Sequence, residues 1–431
     1  MMPVDTCFTN SYNKKEMGEK NKGKKRIVCI GAGASGLFFA LNCADAENEV
    51  ILLDSNAKVG RKMYISGKGR CNITNDCEVK EFIGNIVRNP RFLYSAINNF
   101  KPADTVAFFN EHGCPLKTER GNRVFPVSDH ASDIIDCLFF ACRKAGVKIE
   151  FEKTVKEIRK EKEGFLVSCK DRDYHADAVV IATGGRSYPS TGSTGDGYRF
   201  AESLGHHIVD LKSALCPIRV KEFIPKECLK MTLKNVSLSA HNASFKKTLF
   251  GDLEFLPGAL SGPIALSMSS LINRLEDLSV EVDLKPGLDE EKLDKRLLRK
   301  IEVAPNKDVY HLLGTLLPRE FCSFFIEQTK TDTSIKLNSF TKVMRSKLLH
   351  DLKHFPFTFD GLEDIDKGIV TSGGVDVKEV DPRTMESKLC KGVYFIGEVL
   401  DVDAFTGGFN MQIALSTGHA CAMALKKEDH D

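Results

Sequence analysis

The first patterned stretch of the chain is Arg26-Ile27-Val28-Cys29-Ile30. It is apolar on both faces and too short for a helix, as a buried parallel strand would be. Residues 35–46 then carry apolar side chains at helical spacing, and Glu49-Val50-Ile51-Leu52-Leu53 forms a second apolar run. Two buried strands around one helix predict a βαβ unit. In residues 129–146, Ile134, Leu138, Ala141 and Ala145 recur at helical spacing, with Ser128 or Asp129 placed to cap the start and Gly146 the end. Strands are predicted at 147–151, 154–159 and 165–169, and a buried one at 178–182.

The pattern changes after about residue 205. From Ile218 to Phe255 it is short, alternating and interrupted by polar residues, which predicts antiparallel strands and a barrel. Residues 278–284 read as another strand, and 289–353 are charged with helical periodicity (Leu293, Leu297, Leu298, Ile301). From Gly368 the text is again glycine-rich and strand-like. Gly392-Val393-Tyr394-Phe395-Ile396-Gly397-Glu398 reads as a strand, and a helix closes the chain at about 411–426. The predicted fold class is therefore α/β: a discontinuous Rossmann-like domain formed by 25–205 and 367–431, a barrel-like insertion at 206–288 and 354–366, and a helical subdomain at 289–353. Residues 1–24 are polar and are expected to be a disordered tail rather than a secretory signal.

Composition narrows the partners. The chain has 431 residues, 42% hydrophobic and 28% charged, with a net charge of +2. No field of one sign points to nucleic acid or to a membrane, and no apolar run approaches the ~20 residues needed to span a bilayer. The oligomeric state leaves no trace. Fourteen cysteines occur without a C-x-x-C, so neither zinc nor a redox dithiol is signalled and no metal site is expected. Cys137 and Cys142 fall in a helical pattern, ~140° apart, and would not pair. A reducing cytoplasm is the expected compartment. His206 and His207 lack a second ligand pair and are expected at the surface.

The chemistry lies in the glycine segments. Gly31-Ala32-Gly33-Ala34-Ser35-Gly36 matches G-x-G-x-x-G between a strand and a helix, where the first glycine turns the chain, the second admits a pyrophosphate and the third packs helix on strand. Asp54 ends the next strand, as a ribose-binding acid would. Ser55 and Val155 are taken with the cofactor-binding residues. The loop 60–75 carries Arg61, Lys62, Lys68 and Arg70 among Ser66, Gly67, Gly69, Asn72, Thr74 and Asn75, a composition suited to a phosphate. Cys71, beside Arg70, is either an activated thiol or a small apolar filler. Thr183-Gly184-Gly185 lets backbone approach a ligand at a strand's end. Gly397-Glu398, the acids at 401 and 403 (Asp401, Asp403) and Gly407-Gly408-Phe409-Asn410-Met411-Gln412 end at a helix start, whose positive dipole would face the pyrimidine edge of a flavin. A cofactor reached from both ends of the chain is long, which favours FAD over NAD.

These residues resemble the bacterial BaiN-like (YhiN-type) flavoproteins, also called the aminoacetone oxidase family, over about residues 25–425. The resemblance is carried by Ser66-Gly67-Lys68-Gly69-Arg70-Cys71-Asn72-Ile73-Thr74-Asn75, Arg123-Val124-Phe125-Pro126, Thr191-Gly192-Ser193-Thr194-Gly195-Asp196-Gly197, Thr371-Ser372-Gly373-Gly374-Val375 and the 397–410 segment. It implies a glutathione-reductase-type FAD domain carrying an inserted β-rich domain and a helical subdomain. It also implies FAD on Gly31 to Gly36, Asp54, the 66–75 loop, Thr183 to Gly185, Glu398, Asp401 and Gly407 to Gln412. Two departures stand out: Asp54 replaces the usual Glu, and Phe255-Leu256-Pro257 stands where many relatives have Phe-Thr-His.

The expected activity is that of an FAD-dependent oxidoreductase passing a hydride through flavin N5 to a small organic substrate. An activated C=C is the suggested acceptor, with NAD(P)H as transient donor because no second glycine fingerprint supplies a nicotinamide domain. An O2-using amine oxidase, a flavoprotein acting on RNA and a flavin sensor are the alternatives. Arg123, Tyr188 and Ser372 are the catalytic candidates.

Overall fold

A computed structural model describes residues 24–427. All but the last residue of the expected disordered tail lies outside the described residues. The glycine fingerprint sits on a five-stranded parallel sheet in the order Val393–Phe395, Ala178–Ile181, Lys25–Ile30, Asn48–Leu53, Lys148–Glu150. Ile27, Val28 and Cys29 have no exposed surface, which is why the run is apolar on both faces. Gly31 ends the strand at φ +108°, and a Cβ there would meet the Ala182 carbonyl oxygen at 2.5 Å. The helix Ala34–Cys43 follows, packed between the C-terminal helix Phe409–Lys427 and the helix Ala131–Lys144. The last strand therefore joins the edge beside Ala178–Ile181, and the two ends of the chain share one sheet.

The insertion is a closed six-stranded barrel of Ile218–Val220, Ala259–Ser261, Lys246–Leu256, Thr232–His241, Ser279–Asp283 and Phe355–Leu362. Helices Glu290–Val303, Val309–Gly314, Arg319–Thr329 and Lys342–Lys353 form the helical part. Two apolar cores result. One gathers residues from Ile27 to Ala201 and from Val375 to Leu425. The other runs from Ile218 to Phe357 and centres on Phe255, Phe321, Phe324, Phe325 and Phe355. Between them, Ile208–Ala214 pairs antiparallel with Val370–Val375 rather than with the barrel, so the outgoing and returning chains cross side by side.

Three local expectations change. Neither Ser128 nor Asp129 caps the helix Ala131–Lys144: His130 occupies that position, and Asp129 adopts φ +60° with its carboxylate on Lys117 at 2.6 Å and Arg70 at 3.0 Å. The 60–75 loop opens with a short helix, Arg61–Ile65. His206 is buried, held by Ser387 at 2.7 Å and Glu379 at 3.1 Å, while His207 is exposed as expected. Among the described residues no helix is long and apolar enough to cross a membrane, no metal-ligating cluster occurs, and Cys137 and Cys142 are free thiols in one helix.

Candidate functional site

One cavity of about 2230 Å³ runs along the C-terminal edge of the parallel sheet to the barrel. That exceeds the ~300–1,000 Å³ of an ordinary small-ligand site and suits a dinucleotide with a substrate beside it. Gly31, Ala32, Gly33, Ala34 and Ser35 line it at the N-terminus of the helix Ala34–Cys43, which has no side-chain cap, and a Cβ on Gly33 would meet nothing within 4 Å. The backbone there faces open space. Asp54, Ser55 and Val155 line the same region. Asp54 is tied to the glycine loop: its Oδ2 accepts from Ala32 N at 2.7 Å, and its Oδ1 accepts from Asn56 N and Nδ2, each at 2.8 Å.

From the second segment, Arg61, Lys62, Ser66, Gly67, Arg70, Asn72 and Asn75 line the cavity, joined by Thr183, Gly184 and Glu398. Lys62 Nζ donates to both oxygens of Glu398, at 2.8 and 2.9 Å, and to Ser187 Oγ at 2.7 Å. This half-buried pair closes the two ends of the chain on each other. Arg70 is less free than its sequence context implied. It holds Glu119 and Asp129, and its guanidinium lies 4.0 Å from the centre of the Phe125 ring.

At the far end the wall is Gly407, Gly408, Phe409, Asn410 and Met411, where the C-terminal helix begins. Gly408 approaches so closely that a Cβ would meet the Thr74 carbonyl oxygen at 2.2 Å. Three amides hold this loop. Asn75 Nδ2 donates to Gly407 O at 2.9 Å, Asn410 Nδ2 donates to Ala404 O at 2.8 Å, and the Asn72 side-chain oxygen accepts from Gly408 N at 3.0 Å. Arg123 is the direct strand partner of Asn75 and lines the cavity beside this loop. Tyr188 also lines it, at φ +51°, a strained conformation for a bulky residue.

Other expected residues stand behind the wall. Gly36 packs on the first strand, as its place in the fingerprint requires: a Cβ would meet Gly31 O at 1.9 Å. Gly397 fits against Ser35, and Gly185 against Thr371 and Glu398. Thr74 and Gln412 are buried and hydrogen-bonded to each other at 2.6 Å, with Thr105 on the same Gln412 oxygen at 2.7 Å. Asp401 is buried in a bidentate pair with Arg88, both contacts at 2.6 Å. Gly69 is exposed, at φ +83°, and ends the short 3-10 helix Ser66–Gly69. Cys71 has no exposed surface, and burial pushes its thiol up to about 12, so the filler reading replaces the activated thiol. Ser372 is fully buried and outside the cavity, which removes it from the catalytic candidates.

The cavity also recruits residues that sequence reasoning passed over: Asn56, and from the barrel Asp252, Glu254, Ser261 and Gly262. Asn56, two positions after Asp54, had a detectable signal as an Asx-type turn residue. The barrel residues had none, because only closure of the barrel brings them to the sheet edge. A bare glycine cradle at a helix N-terminus, an acid at the next strand's end and a backbone-lined far wall fit a flavin dinucleotide.

Comparison with known proteins agrees with this geometry. The model of the HI0933-like protein Rossmann domain matches residues 25–424. A Haemophilus influenzae protein named ribosomal RNA dihydrouridine synthase is 32% identical over 407 residues, covering 93% of this chain and 98% of that protein. A Clostridium scindens 3-dehydro-bile acid delta(4,6)-reductase is 28% identical over 408 residues, with the same coverage. The open conformation of a flavocytochrome c3 fumarate reductase superposes with a TM-score of 0.52 at 16% identity, covering 95% of this chain and 79% of that one, a likeness of fold.

Proposed function

This chain belongs to the HI0933-like family, a group of FAD-dependent oxidoreductases, and on that premise we propose that it reduces a carbon–carbon double bond conjugated to a carbonyl group in a small organic substrate, with NAD(P)H as donor. The observation that carries the reading is the single cavity joining the glycine fingerprint, the double-glycine loop and the barrel face. The chemistry FAD supplies when bound is two-electron transfer of a hydride through N5. The names of two relatives share one reaction pattern. Making dihydrouridine and reducing a delta(4,6) ketosteroid both saturate a C=C conjugated to a carbonyl.

The chain's own residues would divide the work. Gly33 and the N-terminus of Ala34–Cys43 would hold the pyrophosphate, Asp54 the ribose, and Lys62 with Glu398 the hydroxyls of the ribityl chain that leads to the flavin ring. The N-terminus of Phe409–Lys427 would favour an electron-rich flavin pyrimidine ring and so raise its potential. Arg123, placed by Asn75 beside the double-glycine loop, would donate to the substrate carbonyl and draw electron density from the double bond. Tyr188 remains a candidate for proton delivery, and a reducing cytoplasm suits the free thiols.

Anaerobic mixing with NADH or NADPH tests the donor, since flavin should bleach within one turnover. Adding a 4,6-dienone should then restore the oxidised spectrum, and no response to either addition would sink the proposal. A second reading, reduction of uridine in RNA, is favoured by the name of the 32%-identical relative and opposed by the near-neutral charge. Reoxidation by ribosomal RNA and not by dienones would select it. Reduction by aminoacetone, followed by O2 uptake, would select an amine oxidase.

A further inference from the structure

A buried histidine stands outside the flavin site and takes no part in the chemistry proposed there. His206 follows the helix Asp196–Ser203, to which its N–H is tied through Ala201 O at 3.0 Å, and its side chain has no exposed surface. Both ring nitrogens are engaged: Nδ1 lies 3.1 Å from Glu379 Oε2, and Nε2 lies 2.7 Å from Ser387 Oγ. The Phe395 ring packs edge-on at 4.7 Å. A hydroxyl, an imidazole and a carboxylate in this order resemble a hydrolytic triad. Two facts exclude that role. Ser387 is buried, and its Oγ already accepts from Leu389 N at 3.1 Å and from Cys390 N at 2.8 Å, which occupies both lone pairs.

That occupancy fixes the proton on the ring. With both lone pairs taken, Ser387 Oγ has only its hydrogen to offer, so it donates to Nε2, and the ring's own hydrogen sits on Nδ1 and is donated to Glu379. Glu379 Oε2 also accepts from His207 N at 2.9 Å. The three groups join segments far apart in sequence, and Ser387 lies in the piece that covers an edge of the parallel sheet. Ser387 N donates to Val393 O at 2.8 Å, Phe395 N donates to Met385 O at 3.0 Å, and Glu386 bridges Tyr394 in antiparallel register. Val393–Phe395 is an outermost strand of that sheet, so without residues 385–387 its backbone would lie open. The same strand runs on into Gly397 and Glu398, and Glu398 lines the cavity.

We propose that His206 is a proton-sensitive clasp: neutral, it holds residues 385–390 over the last strand of the sheet, and protonated, it drives that cover off. A second ring hydrogen, on Nε2, would point at an oxygen with no lone pair left, so either the ring or Ser387 must let go. The step adds one proton from solvent and breaks only hydrogen bonds. The charged groups around the ring are few. Glu379 acts on it directly. On the helix Asp196–Ser203, Asp196 and Arg199 pair with each other at 3.4 Å, and Glu202 is exposed. His207 is exposed and faces Asp376 at 3.8 Å. In the cover, Lys388 Nζ donates to Lys378 O at 2.8 Å, and Glu386 Oε1 accepts from Gly392 N at 2.9 Å. Tyr394 points to the face of its strand opposite Phe395. Burial holds the ring below its ordinary 6.5, and Glu379 opposes that fall. The unfolded chain therefore takes up a proton that the folded chain refuses. Stability conferred by the neutral ring is complete above about pH 6.5 and is lost as pH falls through the ring's folded value.

The test uses the full chain with FAD added and compares urea unfolding from pH 8 to 5 in wild type and His206→Gln, whose carbonyl can still accept from Ser387. Below about pH 6.5 the wild type should shift toward unfolding by up to about tenfold per pH unit more than the variant. His207→Gln should keep the wild-type slope. Hydrogen exchange at Leu389, Cys390 and Phe395, corrected for intrinsic rates, should quicken from about pH 7 to about 5.5 in wild type and not in His206→Gln. Nitrogen-15 shifts at about pH 8 should show Nε2 as the bare ring nitrogen. Equal pH slopes or equal exchange in wild type and His206→Gln, a slope lost in His207→Gln instead, or a hydrogen on Nε2 would overturn the proposal. Should His206→Gln not fold, Ser387→Ala decides. Without the hydroxyl hydrogen, the His206 titration followed by the same nitrogen shifts should rise toward 6.5, and an unmoved titration overturns the proposal. None of these readouts involves electron transfer, so failure here leaves the flavin reading standing.

Discussion

The two cores of this molecule are built by opposite rules. In the flavin half the decisive positions are those where a side chain is missing: Gly31, Gly36 and Gly408 let backbone touch backbone. In the barrel half they are filled: Phe324 has no exposed surface and meets Phe255, Phe321, Phe355 and Phe357. A surface that must cradle a ligand's phosphates needs exposed N–H groups, and so glycine. A surface that must only hold a shape needs volume. One half should therefore lose function when an atom is added, and the other should lose stability when atoms are removed.

The strongest way to break this contrast is Gly36→Val. Its Cβ would coincide with the Gly31 carbonyl, so the variant should purify without flavin and with a disrupted parallel sheet, as read by absorbance at 450 nm and circular dichroism. A yellow, folded variant would contradict the packing described. Next, Phe324→Ala should destabilise the barrel half by about 3–5 kcal/mol while leaving flavin content at low temperature unchanged. Urea titration followed by flavin fluorescence and by far-ultraviolet dichroism would show whether the two cores lose structure separately.

A smaller effect sharpens the boundary. Lys62→Met removes the cation that holds Glu398 and should weaken flavin retention by about ten- to a hundredfold, the worth of a lost charge-assisted contact. The dissociation constant from ultrafiltration checks it, and unchanged retention would show that the pair only braces the chain ends. The smallest effect belongs to Cys71→Ala. With its thiol buried and pushed to about 12, wild-type Cys71 should resist alkylation at pH 8, and the variant should keep its flavin.

The same contrast explains what could be read without coordinates. Gly31 to Gly36, Asp54 and the double glycine at 407–408 were legible because a backbone-lined site narrows the choice of residue at each position. The barrel was legible only as period and alternation, enough to foresee a closed sheet and not enough to foresee that Asp252, Glu254 and Ser261 face the cavity. Long-range pairs left no trace. Nothing in the sequence joins Lys62 to Glu398 or Arg88 to Asp401, and Asp401 was read as a ligand-facing acid when it is half of a buried ion pair. Cys71 illustrates the reverse hazard: proximity to Arg70 in sequence suggested activation, while its thiol is turned into the core.

The parallel sheet has one further consequence, for synthesis. Its Ala178–Ile181 strand acquires its outer neighbour only when Val393–Phe395 emerges from the ribosome. At ~5–20 residues per second that interval lasts roughly ten to forty seconds. During it the barrel can complete itself, while the half-made sheet carries an open, apolar edge that invites chaperones or the wrong strand. A nascent chain of this design can retain its yellow pigment only after the double-glycine loop and the helix Phe409–Lys427 have been made.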